Sequence, residues 1–264
     1  MPAALLLLAL CGAASVQAEE IKIGGTGAAL GTMQMMADAY TRNHPGAKIT
    51  LMPSLGSGGG IKAVLSGAIQ IGLSARPLTE AEVKLGVVEI EYGRTPLVFA
   101  TAAKNKTVSL TTQELVDIYA ARTVNWADGA KLRVVMRPIG DSDSELIKTL
   151  SPALREAVSG AEQRAGMSIS VTDQEAANSI EKIPGALGPL TLALILSEKR
   201  QFRALNLNGI VPNVKSIADG SYPLQKQLTL VTGPKTSPEA QAFVAFVRSE
   251  AGRKILSQTG HWVK

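Results

Sequence analysis

The chain is poor in cysteine, aromatic residues and histidine, and each shortage excludes a class of chemistry. Cys11 is the one cysteine among 264 residues, so neither an internal disulfide nor a cysteine-rich metal site can form. Phe, Tyr and Trp make up 4% of the residues, too few for the stacking platforms on which single-stranded nucleic acid is held. Basic residues do not substitute for them. Lys and Arg outnumber Asp and Glu by 27 to 22 but are dispersed rather than gathered into runs, so no nucleic-acid partner is expected. The formal surplus of +5 is a modest bias toward small anions or anionic surfaces. His44 precedes the helix-ending Pro45 and His261 lies near the end of the chain. Neither has a triad or metal-ligand spacing around it, so both read as structural or surface residues. No catalytic residue, metal or cofactor is expected.

Long hydrophobic runs are missing as well. The most apolar stretch, "PAALLLLALCGAA", is well short of the roughly 20 residues that span a membrane. With "SVQA" after it, where Val16 and Ala18 approximate a small-residue cleavage pattern, residues 1–18 read as a secretory signal peptide, although no Lys or Arg precedes the apolar run. Cleavage near Ala18 would remove Cys11 and deliver a thiol-free chain to the periplasm. Lipidation of Cys11 is disfavoured by Leu10, which is larger than the residue such a signal wants.

What remains is rich in apolar residues, at 45%, enough to bury one large or two moderate cores. "EIKIGGTGAALGTMQMMADAYTRNHPGAKITLMPS" reads as strand, glycine turn, helix, turn and strand. The pattern repeats through "KITLMPS", a turn "LGSGGG", a helix "IKAVLSGA" and a strand "IQIGLS". Short strands alternating with helices predict an α/β fold with a parallel sheet covered on both faces. Downstream, "TTQELVDIYAARTVNW" predicts a helix with a Thr cap. "DQEAANSIEKIPGALGPLTLALILSEK" predicts two helices about a Pro-Gly turn, and "SPEAQAFVAFVRSEAGRKILSQTG" one C-terminal helix.

Three small-residue polar loops, Gly25 to Gly31, Gly56 to Gly60 and Arg137 to Ser144, each follow a strand and lead into a helix. Loops at the carboxyl ends of parallel strands share one crevice, where helix N-termini present unpaired N–H groups and partial positive charge. Such a crevice suits an anion. Nucleotide motifs fail: Ile61 separates Gly60 from Lys62, which breaks the Gly-Lys-Ser/Thr of a P-loop, and "GTGAALG" is one residue too long for a dinucleotide loop. Arg137, near Ser142 and Ser144, has the bidentate geometry an oxyanion wants, or else makes a salt bridge. Asp141 and Asp143 would repel a dianion unless the ligand brings a proton, the carboxylate caps the next helix, or it pairs with Arg137.

These segments together resemble the substrate-binding components of phosphate-type ABC transporters, type II periplasmic binding proteins. "GTGAALG" is similar to that family's first anion loop, "GSGGGIKAVLSGAIQIGLSARPL" to its second, and "TTQELVDIYAARTVNW" to its helix with a following Trp126. "RPIGDSDS" resembles its Arg-Asp-Gly-Ser-Gly-Thr loop and "IPGALG" its late Pro-Gly-Ala-Ile-Gly turn. The resemblance implies two α/β lobes, 19–94 plus 226–264 and 95–225, joined by two crossing hinge segments. It also implies an oxyanion, inorganic phosphate first, held between the lobes by the Ala29 and Leu30 backbone, Ser57, Gly58, Arg137, Ser142 and Ser144, with Asp141 and Arg76 nearby. The expected protein is a non-enzymatic monomer that closes on its ligand and delivers it to an ABC permease.

Departures from the family accompany the likeness. Ala29 stands where the family has a hydroxyl, Leu30 where it has an aromatic residue, and Ala75 where it has an aspartate that accepts the proton of hydrogen phosphate. The third loop is one residue longer and carries Asp143 in place of glycine. Lost donors and a lost acceptor leave open a related anion, or a sensor or adaptor of the same fold that signals to a protein partner.

Overall fold

A computed structural model describes residues 20–263; the expected signal peptide and Cys11 lie outside them. The first half runs β1 (Glu20–Gly25), α1 (Gly27–Asn43), β2 (Lys48–Leu51), α2 (Gly56–Ser66), β3 (Ile71–Ser74), α3 (Glu80–Lys84), β4 (Val88–Ala102), β5 (Ser109–Leu110), α4 (Thr112–Tyr119) and β6 (Arg133–Met136). It continues as α5 (Ser142–Ile147), α6 (Pro152–Glu162), β7 (Ser168–Ile169), α7 (Asp173–Lys182), β8 (Ala186–Thr191) and α8 (Leu192–Ser197). The chain closes with β9 (Phe202–Leu207), α9 (Val214–Ala218), β10 (Gln225–Thr232), α10 (Pro238–Arg248) and α11 (Glu250–Gln258).

The strands form one sheet, ordered β2-β1-β3-β10-β4-β8-β6-β7, with β9 on β4 and β5 on β9. It is mixed rather than wholly parallel: β1 pairs parallel with β2 and β3, whereas β10 is antiparallel to both β3 and β4. The long β4 joins the two halves. Its first part pairs with β10 as far as Pro96, and from Leu97 onward it pairs with β8 and then β9. Proline has no N–H to give to a ladder, and Pro96 falls where the partners change. The second crossing runs beside it, with the Leu97 N–H donating to the Leu224 carbonyl at 2.8 Å.

Each half has its own core. Ile21, Ile23, Met33, Met36, Leu230 and Phe243 pack together on one side of the crossing, and Leu97, Phe99, Leu115, Met136, Leu154 and Leu205 on the other. Trp126, buried in the second core, donates its indole N–H to the Gly185 carbonyl at 2.9 Å and so ties down the turn in "IPGALG".

Several local expectations need correction. Gly56 to Gly60 is the first turn of α2 and not a loop before it, just as Gly27 to Gly31 opens α1. The glycines allow α2 to lie against β1: a methyl on Gly60 would come within 2.7 Å of the Gly25 Cα and 2.9 Å of the Gly24 carbonyl oxygen. "ALGPLT" is a strand, β8, buried along its whole length, where a second helix alone was expected. A Gly-Pro pair hides it in the sequence, and burial on both faces removes the alternation that marks a strand. The C-terminal helix is two helices, because Ser249 closes α10 and caps α11 through the Gly252 N–H at 3.3 Å.

Candidate functional site

The carboxyl ends of β1 and β2 lead into Thr26 and the Gly56 to Gly60 turn, and that of β6, which runs opposite to them across the β4 crossing, leads into Arg137, so the expected segments face each other from the two halves. Between the second and the third opens a cleft of about 600 Å³. One wall is Gly56, Ser57, Gly58, Ala75, Arg76 and Pro77; the other is Pro138 to Ser142 with Glu145, Leu146 and Thr149. The walls come from opposite sides of the β4 crossing.

Ser57 accepts a hydrogen bond from the Ala75 N–H at 3.0 Å, which leaves its own proton to donate. Gly58 lies close to Arg76: a methyl there would sit 3.8 Å from Nη2. The Arg76 guanidinium is held by both oxygens of Glu82, at 2.9 and 2.7 Å, and by the Pro77 carbonyl at 2.7 Å. Its hydrogen bond to Arg76 is the main reason the Glu82 carboxyl is lowered to about 2. Arg76 is thus oriented on the cleft wall with its charge matched.

Ala29 is buried and its N–H turns to the Thr26 carbonyl at 3.2 Å. Leu30 lines a neighbouring groove with Leu51, Pro53 and Gln174. The donors of α1 that meet no acceptor among the described residues are the N–H groups of Gly27 and Ala28. They lie two residues before Ala29 and Leu30, the pair expected from the sequence. Thr26 is the N-cap of α1, yet its side chain makes no capping bond. Its hydroxyl and that of Ser144 in α5 belong to residues only 3% exposed and have no hydrogen-bond partner among the described residues.

Deeper in, the structure gathers charges that the sequence reading only partly foresaw. Arg137 is 4% exposed, Asp143 1%, Asp173 4% and Lys226 3%. Asp141 accepts from Arg137 Nε at 3.3 Å and Nη2 at 3.1 Å, and caps α5 through the Asp143 N–H at 2.9 Å. Arg137 Nη1 donates to the Ser170 carbonyl at 3.0 Å. Asp143 Oδ2 lies 3.7 Å from Arg137 Nε, and its Oδ1 accepts from Lys226 Nζ, which also donates to Ser142 Oγ at 3.0 Å. Asp173 Oδ2 is 3.8 Å from Arg137 Nη2. It also faces α1, since a methyl on Gly27 would come within 2.9 Å of it and within 2.2 Å of Gln174 Oε1.

Two cations therefore face three carboxylates. Burial works against the charge on Lys226, but Asp143, Asp173 and Asp141 outweigh it and hold the ammonium above its ordinary range. The same balance, with Asp173 the strongest of the attractions, raises Arg137. Asp173 moves the other way for a carboxylate: burial first, then Asp143, push it up against the pull of Arg137 and Lys226. Lys226 and Asp173 carry no motif. They enter the site only because β10 crosses beside β4 and the start of α7 packs on the start of α1.

A sheet built in two halves about a shared strand, with helix N-termini and buried polar groups at the cleft, defines a two-lobed α/β solute-binding fold. A family model described as the PBP superfamily domain matches residues 12–251, and the chain belongs to that family. The phosphate-binding protein PstS of Bacillus subtilis is 26% identical over 287 aligned residues that cover 99% of this chain and 91% of that protein. PstS of Borreliella burgdorferi is 23% identical, covering 91% and 88% respectively. Among solved structures, a phosphate ABC transporter substrate-binding protein from Clostridium perfringens with bound phosphate superposes with a TM-score of 0.78 at 20% identity, covering 93% of this chain and 100% of that one.

Proposed function

We propose that this chain is a non-enzymatic solute-binding protein that captures a tetrahedral oxyanion, phosphate first, between two lobes and passes it to an ABC permease from the periplasm. The observation that carries this reading is the buried Arg137 set beside the uncapped N-terminus of α1, the two joined through Asp173, whose Oδ2 lies 3.8 Å from Arg137 Nη2 and would come within 2.9 Å of a methyl on Gly27. Ser57, Gly58 and Arg76 form the nearer wall, and Ser142 is held by Lys226. The lobes are taken as 19–94 plus 226–264 and 95–225, which places both crossings where β4 changes partners. The PstS relatives support phosphate as the first ligand to test.

Isothermal titration of the mature protein with phosphate, sulfate and molybdate tests the proposal. Binding of at least one is expected, weakened by about 30-fold or more in Arg137→Ala, since truncating a buried charge pair costs about 2–5 kcal/mol. Arg137→Lys should recover little of it, because an ammonium cannot reproduce the fork. Absence of heat with all three refutes the reading. A second reading, a sensor or adaptor that binds a protein receptor, is favoured by one observation: the Arg137 and Arg76 charges are already matched within the chain.

A further inference from the structure

Asp173 is the carboxylate for which the site has no counterpart. Asp141 is held by two nitrogens of Arg137 and by the cap of α5, and Asp143 by Lys226. Asp173 has only the 3.8 Å approach to Arg137, already shared, and its side chain has no hydrogen-bond partner among the described residues. An ionised carboxylate buried in this way is costly unless it is paired and hydrogen-bonded, and the usual escape is to take up a proton. A neutral carboxyl then has one O–H to donate. It faces the start of α1, where a methyl on Gly27 would come within 2.9 Å of its Oδ2, and the first N–H groups of that helix can only donate. What such a set accepts is an atom with lone pairs and no proton.

We propose that Asp173 carries a proton when the anion is bound and donates a hydrogen bond through it to an unprotonated oxygen of the ligand, so that the selecting proton stays on the protein. The inference rests on the oxyanion reading above and narrows its ligand class: fully ionised tetrahedral dianions of the sulfate kind are accepted as well as phosphate. The other charged groups support this assignment. Around Asp173 stand Arg137 and Asp141 after β6, Asp143 on α5 and Lys226 on β10; on its own helix, Glu175 is engaged with the Val171 N–H at 2.7 Å, and Glu198 on α8 with Gln174 at 2.8 Å. With Asp173 neutral, the two cations balance the two remaining carboxylates, and the incoming dianion meets no surplus negative charge. Ala75, with no acceptor of its own, imposes no penalty on a ligand that lacks a proton.

Infrared difference spectroscopy of the full mature protein with sulfate tests this directly, because sulfate carries no proton at neutral or mildly alkaline pH. Expected is the carbonyl stretch of a protonated carboxyl in the sulfate complex. It should shift when aspartate carboxyls are labelled with carbon-13 and vanish in Asp173→Asn. Where Asp173 ionises in the free protein, sulfate affinity should fall about tenfold per pH unit, and Asp173→Asn should abolish that slope. Sulfate bound without such a band, or a band unchanged in Asp173→Asn, overturns the inference while leaving anion capture intact, as does binding of phosphate with rejection of sulfate. Failure of both phosphate and sulfate to bind, titrated in parallel, removes the underlying reading itself.

Discussion

Replacing Lys226 by methionine should destabilise the protein through Asp143, and the size of the effect follows from the geometry. The ammonium is 3% exposed and serves both Asp143 and Ser142 Oγ, the latter at 3.0 Å. Methionine keeps the length of the side chain but leaves a carboxylate, itself 1% exposed, without its nearest counterion. Removing one member of a buried pair typically costs about 3–5 kcal/mol. Arg137 Nε, 3.7 Å from Asp143 Oδ2, retains an attraction of about 4 kcal/mol at an effective dielectric of 20, so the loss should fall at the lower end, about 3 kcal/mol. Urea denaturation at neutral pH measures it. Thermal unfolding should shift down by roughly 6–12 °C for a chain of this size. The double variant Lys226→Met, Asp143→Leu removes both charges and should return to within about 1 kcal/mol of the parent, as buried pairs replaced by apolar residues do. A single variant that loses less than about 1 kcal/mol, or a double variant no better than the single, would refute the view that charge compensation holds this site together.

Two further perturbations test the scaffold. His261 is buried, and burial lowers it to about 4 from 6.5 despite its bonds to Leu256 and Thr259, so the unfolded chain takes up a proton that the native state refuses. Its contribution is complete above pH 6.5 and lost as pH falls to about 4, close to 3 kcal/mol in all; denaturation of the parent and His261→Gln across that range should show the parent losing stability relative to the variant, and parallel curves would contradict it. Gly60→Ala forces a methyl to within 2.7 Å of the Gly25 backbone, so α2 must shift, at about 1–3 kcal/mol and with weaker anion binding, since its first turn is a wall of the cleft. Gly46→Ala, which would meet nothing within 4 Å, is the control and should change stability by no more than about 0.5 kcal/mol.

Local patterns carried much of the architecture. Thr111 is readable as a cap and forms a full capping box with Glu114. Boundaries were less readable where glycine is present for packing rather than for turning. Gly56 to Gly60 has the composition of a loop, and only the close approach of α2 to β1 explains why a helix tolerates it. For the same reason α1 begins at Gly27, and the unpaired donors fall at Gly27 and Ala28 rather than at Ala29 and Leu30.

Arg137, Asp141, Ser142 and Ser144 were visible because they share one short loop, where spacing along the chain is spacing in the site. Thr26 lies within the first loop but does not stand out there, since a Thr ahead of a helix ordinarily spends its hydroxyl on the cap. Lys226 and Asp173 were out of reach: 84 residues separate Lys226 from its Ser142 contact, and nothing near either residue in the chain hints at a ligand. Composition, periodicity and loop chemistry are local quantities, and they were enough to set an α/β chain with anion-seeking helix ends. Whether a buried cation meets one carboxylate or three depends on long-range packing, here the paired crossings of β4 and β10 and the docking of α7 on α1. That packing decides the charge of the site, and with it which anion can enter.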